Sequence, residues 1–308
     1  MALGHDGRLY LLAFDHRGAF QELLGAGDPA TAAGARRIGE AKAIALDGLL
    51  RAVERGGAPW EAAGIFVDEQ FGAAVAHAAR ERGVLLAMPV EESGQDVFRF
   101  AYGDDFAGHL EAFRPDFAKV LVRHNVEGDA AGNRLQLERL KRLADWLHAR
   151  DGRLLHELIV PPTAGQLAAA GGDAARFEAE QRPALALAAV RATQDAGVEV
   201  DVWKFEGVDD RSDAAALARQ ARTGPGREGV ASILLGAGAP AERVEHWLRT
   251  VAGVDGFRGF AIGRSIWAAP LRAWHDGAID RAEAVERIAA AYERFVAVYE
   301  REASPVGR

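Results

Sequence analysis

The sequence predicts an α/β protein, a single (β/α)8 TIM barrel that spans residues 1–308 as one domain. Eight short apolar runs alternate with longer, Ala-rich amphipathic stretches. Strands separated by single helices form a parallel sheet through right-handed crossovers. An open doubly wound sheet is the competing fold, but the turn at residues 15–18 lacks the glycine fingerprint of such sheets. No linker rich in Pro or Ser interrupts the alternation, which indicates one domain.

Residue type and spacing predict the individual elements. Aliphatic and aromatic runs predict strands at 9–14, 64–67, 84–88, 117–122, 154–160, 200–205, 230–235 and 257–262. Apolar residues at helical spacing predict helices at 35–55, 71–82, 135–149, 174–195, 213–221, 241–251 and 282–300. A less regular stretch at 104–113 supplies the helix between the third and fourth strands.

The composition limits the class of protein. With 49% hydrophobic and 27% charged residues, the chain has the balance of a soluble globular protein. It contains no Cys, which excludes disulfides and thiolate chemistry. No apolar run approaches the roughly 20 residues of a membrane span, and no signal peptide is visible after Met1. The net charge of −8 argues against a nucleic-acid binder. Together these observations predict a cytoplasmic protein that binds neither nucleic acid nor a membrane.

Lysine is scarce in this chain, with only four lysines among 37 basic residues. An amine can form a Schiff base and a guanidinium cannot, so a lysine retained against this bias marks a need for an amine. Lys119 and Lys204 lie inside apolar runs, on strands that flank the strand of Glu157. A buried ammonium requires an ion pair or a lowered pKa, and a lowered pKa suits a Schiff-base lysine. The alternative is a structural salt bridge through Glu157.

Functional groups of a barrel lie at the C-terminal ends of its strands. Asp15 follows the first apolar run, where it is either catalytic or a turn former. The loops after the seventh and eighth strands contain Gly236, Gly238, Gly263 and Arg264. Barrels often bind phosphate there through backbone N–H groups and a helix N-terminus, and a guanidinium suits the same anion. We therefore expect a phosphate site, with simple tight turns as the alternative.

Four carboxylates at the ends of the second and third strands, namely Asp68, Glu69, Glu91 and Glu92, could suggest a metal site. No His-x-His motif or carboxylate triplet supports it, so we expect a solvated loop and no metal ion. His124 and Asn125 either line the pocket or cap a helix. The long segment 89–105 is predicted to act as a lid.

Five motifs resemble a known aldolase-like domain. They are Leu-Leu-Ala-Phe-Asp-His-Arg-Gly at 11–18, Phe-Ala-Lys-Val-Leu-Val-Arg at 117–123, His-Glu-Leu-Ile-Val-Pro-Pro at 156–162, Asp-Val-Trp-Lys-Phe-Glu-Gly at 201–207 and Phe-Ala-Ile-Gly-Arg-Ser-Ile-Trp at 260–267. This domain of unknown function is fused C-terminal to some 5-dehydro-2-deoxygluconokinases and is attributed to 2-deoxy-5-keto-gluconate 6-phosphate aldolase of inositol catabolism. The chain is more distantly similar to class I tagatose 1,6-bisphosphate aldolases.

The resemblance implies roles for individual residues. Lys204 would be the Schiff-base lysine, with Lys119 and Glu157 as its catalytic neighbours. Asp15 and Arg17 would contact substrate. The phosphate would be held by Gly236, Gly238, Gly263 and Arg264. The chain departs from the tagatose enzymes at His16, where they have Gln, and at Gly236, where they have a small hydroxyl residue.

These residues predict a class I aldolase that needs neither metal nor cofactor. Neutral Lys204 attacks the ketone, Glu157 removes the proton of the β-hydroxyl, and Lys119 keeps Lys204 deprotonated. The expected partner is a phosphorylated sugar or sugar acid, and Arg17 or Arg123 would bind a substrate carboxylate. The alternatives are a metal-dependent barrel lyase or isomerase and a non-catalytic phosphosugar-binding regulator. The exact sugar, the direction of the reaction, a homo-oligomeric state and a separate kinase stay open.

Overall fold

The computed structural model describes residues 2–24 and 31–303 and contains a closed barrel of eight parallel strands in sequence order. The strands are β1 (Leu9–Ala13), β2 (Ala63–Phe66), β3 (Leu85–Pro89), β4 (Phe117–Arg123), β5 (Leu154–Ile159), β6 (Val202–Glu206), β7 (Ala231–Leu235) and β8 (Phe257–Ile262). This confirms the predicted (β/α)8 fold, since every strand lies within a residue or two of its predicted position. That the whole chain acts as one domain stays a prediction.

Twelve α-helices surround the barrel in the described part of the chain. They are α1 (Gly18–Leu24), α2 (Ala32–Glu54), α3 (Glu69–Glu81), α4 (Phe106–Phe113), α5 (Ala130–His148), α6 (Ala164–Ala169), α7 (Ala174–Glu180), α8 (Arg182–Asp195), α9 (Arg211–Ala221), α10 (Ala241–Val251), α11 (Arg264–His275) and α12 (Arg281–Ala303). None of the described helices is long and apolar enough to cross a membrane.

The helix predicted at 174–195 is two helices, which corrects the sequence expectation. α7 ends at Glu180 and α8 begins at Arg182, so Gln181 separates the two helices. Pro183 lies in the first turn of α8. Proline suits a first turn because its missing N–H has no intrahelical partner there, whereas inside a longer helix it would break a hydrogen bond. Sequence analysis did not predict α1, α6 and α11; α1 and α6 have only 7 and 6 residues, and α11 contains Pro270.

Two separate apolar clusters explain how the barrel presents its polar side chains. One fills the barrel with inward-facing residues that include Leu11, Phe66 and Leu155, and the other lies between the strands and the helices. Side chains alternate along a strand, so on β4 Phe117 and Lys119 face the same side. Lys119 therefore lies inside the barrel, one layer above Phe117 at the C-terminal end. The same alternation places Lys204 above Val202 on β6.

Lys42, a residue to which the sequence assigned no role, is fully buried in α2. Its ammonium donates to the carbonyl oxygens of Phe14 and His16 and to the Asp68 carboxylate. Asp68 also accepts the backbone N–H of Phe71 and so caps α3. Lys42 thus ties the ends of β1 and β2 to α2.

Replacement of Lys42 by Ala should lower the free energy of unfolding by about 3–5 kcal/mol, because it leaves the Asp68 charge buried without its cation. Urea unfolding measures the change. The control is Lys141→Ala, since Lys141 is exposed and its ion pair is with Asp145 one turn away. That pair should contribute about 0.3–0.5 kcal/mol. Equal losses in the two variants would contradict a stabilising role for Lys42.

Candidate functional site

The candidate site lies inside the C-terminal end of the barrel, where five strands bring together two lysines and three carboxylates. Lys119 comes from β4, Glu157 from β5 and Lys204 from β6. Asp15 follows β1 and Glu91 follows β3. All five side chains are more than nine-tenths buried, although they form one wall of a cavity. The structure therefore brings together the predicted Lys119, Glu157, Lys204 and Asp15.

Lys119 is surrounded by carboxylates. Its Nζ lies 2.8 Å from Asp15 Oδ2, 2.7 Å from Glu91 Oε1 and 3.3 Å from Glu157 Oε2. Burial alone would lower the pKa of Lys119, but the three negative charges outweigh it and raise that pKa well above its usual value. Lys119 is therefore a permanent cation in the interior of the barrel.

Lys204 has a different environment. The register of β5 and β6 pairs Glu157 with Lys204, and Glu157 Oε2 lies 3.0 Å from Lys204 Nζ. Glu157 is the only described carboxylate within ion-pair distance of Lys204, and the Phe66 ring centroid lies 4.7 Å from Nζ. Burial and the positive charge of Lys119 lower the pKa of Lys204, although Glu157 opposes them. A lowered pKa increases the fraction of neutral amine, which is the nucleophilic form.

The three carboxylates also differ from one another. Burial would raise the pKa of Asp15, but Lys119 and the other nearby cations lower it far below its usual value. Lys204 and Lys119 likewise overcome burial and lower the pKa of Glu157. Burial raises the pKa of Glu91, against the single contact with Lys119. Asp15 and Glu157 are therefore held ionised, whereas Glu91 has the strongest tendency to take up a proton.

The cavity above this cluster has a volume of about 320 Å³ and carries three guanidinium groups on its wall, from Arg17, Arg123 and Arg264. Each of them donates to a backbone carbonyl: Arg17 to Glu91 O at 3.0 Å, Arg123 to Gln95 O at 2.7 Å and Arg264 to Ala237 O at 3.1 Å. No carboxylate of the described residues forms an ion pair with these three groups. The positive charge at the cavity is therefore available to an anion.

The loops after β7 and β8 meet at Arg264, the first residue of α11. Gly238 has a positive φ of 72°, and an added Cβ there would lie 2.6 Å from the Arg264 guanidinium. Gly263 precedes α11, and an added Cβ would lie 2.2 Å from Ala13 O. Glycine at 238 lets the loop after β7 approach Arg264, and glycine at 263 lets the start of α11 approach the end of β1. The free N–H groups of a helix N-terminus favour anions. Gly236 is buried against Ile262 and does not line the cavity.

The expectation of a solvated loop is wrong for two of the four carboxylates. Asp68 and Glu91 are buried because each pairs with a lysine, Lys42 or Lys119. Glu69 contacts His109, and exposed Glu92 lies 3.0 Å from Arg99. The four carboxylates thus contact four different side chains, and in the described ranges no group of three His, Asp or Glu side chains could hold a metal ion.

Two further residues of the sequence analysis lie outside the cavity wall. Asn125 connects loops: its side chain donates to Pro161 O and Gln166 Oε1 and accepts from Glu127 N. His124 is buried beside it. In contrast, Gln95, which sequence analysis did not single out, lines the cavity within the segment predicted as a lid. The sequence does not distinguish Gln95 from the other polar residues of this segment, because only its burial at the cavity sets it apart.

Comparison with known families places the chain in one of them. Residues 4–303 match the family described as "Uncharacterized protein conserved in bacteria (DUF2090)". The chain belongs to this family. No curated protein matches the chain. In this DUF2090 protein, the cluster of Lys119, Lys204 and three carboxylates lies at the end of the barrel where barrel enzymes have their active sites.

Solved structures share the fold of this DUF2090 protein at low sequence identity. Fructose-bisphosphate aldolase from Plasmodium falciparum, solved with TRAP and a small-molecule inhibitor, has a TM-score of 0.67 at 14% identity, covering 97% of this chain and 92% of its own. Cgl0159 from Corynebacterium glutamicum has a TM-score of 0.60 at 19% identity, covering 98% and 88%. A Schiff-base-forming fructose-1,6-bisphosphate aldolase has a TM-score of 0.55 at 16% identity, covering 94% of each chain.

The pKa of Lys204 should respond in opposite directions to two substitutions. Glu157→Gln removes the charge that raises this pKa and should lower it further, whereas Lys119→Met removes a charge that lowers it and should raise it. Competitive acetylation by acetic anhydride across pH 6–11, with exposed Lys141 as internal reference, reports the neutral fraction of each amine. Identical titration of Lys204 in both variants and the wild type would contradict this account of the cluster.

Proposed function

We propose that this protein is a class I aldolase, in which Lys204 forms a Schiff base with a phosphorylated keto sugar acid. The candidate substrate is 2-deoxy-5-keto-gluconate 6-phosphate, which would be cleaved to dihydroxyacetone phosphate and malonate semialdehyde. The observation that carries the proposal is the unequal lysine pair: Lys119 touches three carboxylates, whereas Lys204 touches one and has a lowered pKa. A purely structural salt bridge through Glu157 would not require the two lysines to differ in this way.

In this reaction neutral Lys204 attacks the substrate ketone. Glu157 Oε2, 3.0 Å from Nζ, exchanges protons with the amine and the carbinolamine as water leaves and the iminium forms. The iminium accepts the electron pair of the breaking C–C bond and becomes an enamine. The permanent charge of Lys119 stabilises oxyanions that develop beside it. Hydrolysis of the imine then releases the ketone product and restores Lys204.

The guanidinium groups define the ends of the substrate. Arg264 and the backbone at Gly238 and Gly263 would hold the phosphate at a helix N-terminus. Arg123 or Arg17, on the part of the wall formed by β1, β3 and β4, would hold the carboxylate. All three guanidinium groups lack a carboxylate partner among the described residues, so substrate would supply the compensating charge. The segment 89–105, which contributes Gln95 to the wall, would exclude water from the iminium.

Two lines of similarity support this function. The motifs quoted above resemble the aldolase-like domain found fused to some 5-dehydro-2-deoxygluconokinases, and the fold is shared with fructose-bisphosphate aldolases. A ketose bisphosphate such as tagatose 1,6-bisphosphate is the second candidate substrate, because Arg17 and Arg123 would bind a phosphate as well as a carboxylate.

Borohydride should trap dihydroxyacetone phosphate on Lys204. Reduction converts the imine into a stable secondary amine, and peptide mass mapping locates the adduct. Lys204→Met should abolish trapping, and Lys141→Met, which alters an exposed lysine, should leave it unchanged.

Trapping at another lysine, or cleavage of 2-deoxy-5-keto-gluconate 6-phosphate without trapping, would contradict the Schiff-base function. Loss of turnover on chelation with recovery on added metal would favour the metal-dependent lyase. Binding of 2-deoxy-5-keto-gluconate 6-phosphate or tagatose 1,6-bisphosphate without turnover would favour a regulator.

Arg264→Ala should raise the KM of a phosphorylated substrate by roughly tenfold to a hundredfold, since a charge-assisted hydrogen bond contributes about 1.5–3 kcal/mol and 1.4 kcal/mol is about tenfold. Steady-state kinetics with a phosphorylated ketose and its unphosphorylated analogue measure this, and the analogue should change little. A purely structural Arg264 predicts equal loss on both substrates.

A further inference from the structure

Glu91 lies on the cavity wall, and one of its two carboxylate oxygens has no partner among the described residues. Its Oε1 lies 2.7 Å from Lys119 Nζ, whereas its Oε2 is buried and has no hydrogen-bond partner among the described residues. The residue is only 6% exposed and lines the cavity. Buried polar atoms nearly always have a partner, so an unpartnered oxygen in a residue that lines the cavity points to a ligand that supplies one.

The backbone holds this side chain in place. Arg17 donates to the carbonyl of Glu91 at 3.0 Å, and Glu91 forms an antiparallel bridge with Phe100. Val90 N donates to Lys119 O at 3.0 Å, which joins the segment to β4. A carboxylate fixed at one oxygen and along its backbone offers the second oxygen in a defined position, as proton transfer requires.

The other two carboxylates are already engaged. Asp15 Oδ2 contacts Lys119, and Glu157 Oε2 contacts both ammonium groups. The cations lower the pKa of each, which makes them weak bases, while burial raises the pKa of Glu91. Among the three, Glu91 combines the higher basicity with an oxygen that no protein group occupies.

We propose that Glu91, rather than Glu157, is the general base that removes the proton of the substrate β-hydroxyl; this rests on the proposed aldolase function. The hydroxyl proton moves to Oε2, and the O–H electron pair becomes the C=O bond of the aldehyde. The C–C bond breaks, and its electron pair passes to the iminium, which becomes the enamine on Lys204. The enamine carbon then takes up a proton, and Glu91 releases the proton that it gained, so protons balance over the reaction.

Glu91→Gln keeps the shape of the side chain and removes its basicity. Cleavage of 2-deoxy-5-keto-gluconate 6-phosphate, or of tagatose 1,6-bisphosphate if the wild type prefers it, should fall by about 10²–10⁴-fold. Borohydride trapping of dihydroxyacetone phosphate on Lys204 should stay within about threefold of the wild type, because iminium formation does not use the β-hydroxyl. The control is Glu180→Gln, an exposed glutamate of α7 that pairs with Arg176 one turn away, and it should retain both activities.

Other outcomes separate the two proposals. If the wild type traps dihydroxyacetone phosphate and Glu91→Gln cleaves within about threefold of it, the assignment of Glu91 is overturned and the aldolase function stands. If folded Glu91→Gln loses trapping together with cleavage, Glu91 supports Lys204 and is not the base. Glu91→Asp keeps a carboxylate for the case in which Gln prevents folding, and it should trap normally and cleave slowly. A wild type that traps nothing overturns both proposals.

Discussion

The ammonium of Lys119 is the interaction on which the interior of the barrel depends. It lies within 3.3 Å of carboxylates that come from β1, β3 and β5. Three carboxylates that share a buried space repel one another, and each would lose its hydration without compensation. A single cation at their centre offsets this repulsion and the loss of hydration. It also links the ends of strands that are not neighbours in the barrel. An apolar residue at this position would leave three buried negative charges.

Lys119 also gives chemically similar groups different pKa values. Glu157 Oε2 lies between the two lysines, 3.3 Å from Lys119 and 3.0 Å from Lys204. Lys119 gains three carboxylate contacts and stays charged, whereas Lys204 shares one carboxylate and is repelled by Lys119. Pairs of titratable groups whose environments push their pKa values apart are the pattern of acid–base sites. Here the separation arises from strand register, which pairs Glu157 with Lys204 directly.

The sequence predicted the parts of this arrangement that follow from local pattern. Eight apolar runs separated by helices predicted the barrel, and a lysine inside an apolar run identified both Lys119 and Lys204. It could not predict the roles of Lys42 and Glu91, because their partners Asp68 and Lys119 are 26 and 28 residues away and are brought near only by the closed barrel. Nor does a polar loop show which of its carboxylates will be buried, since Glu91 and Glu92 are adjacent and identical in type.

The distribution of charge in the cavity also constrains how a substrate can lie. At the floor, lysines and carboxylates largely compensate one another, whereas the guanidinium groups on the wall donate to carbonyls and form no ion pair with a described carboxylate. Arg123 ends β4 and Arg264 follows β8, and strands four apart in a closed barrel of eight face each other across the mouth. A linear ligand with an anionic group at each end, bound between these two arginines, would have its middle over the interior of the barrel, where Lys204 lies. The proposed substrate carries its phosphate and carboxylate at opposite ends and its ketone between them, so its charges and its reacting carbon would meet the matching groups of the protein in one orientation.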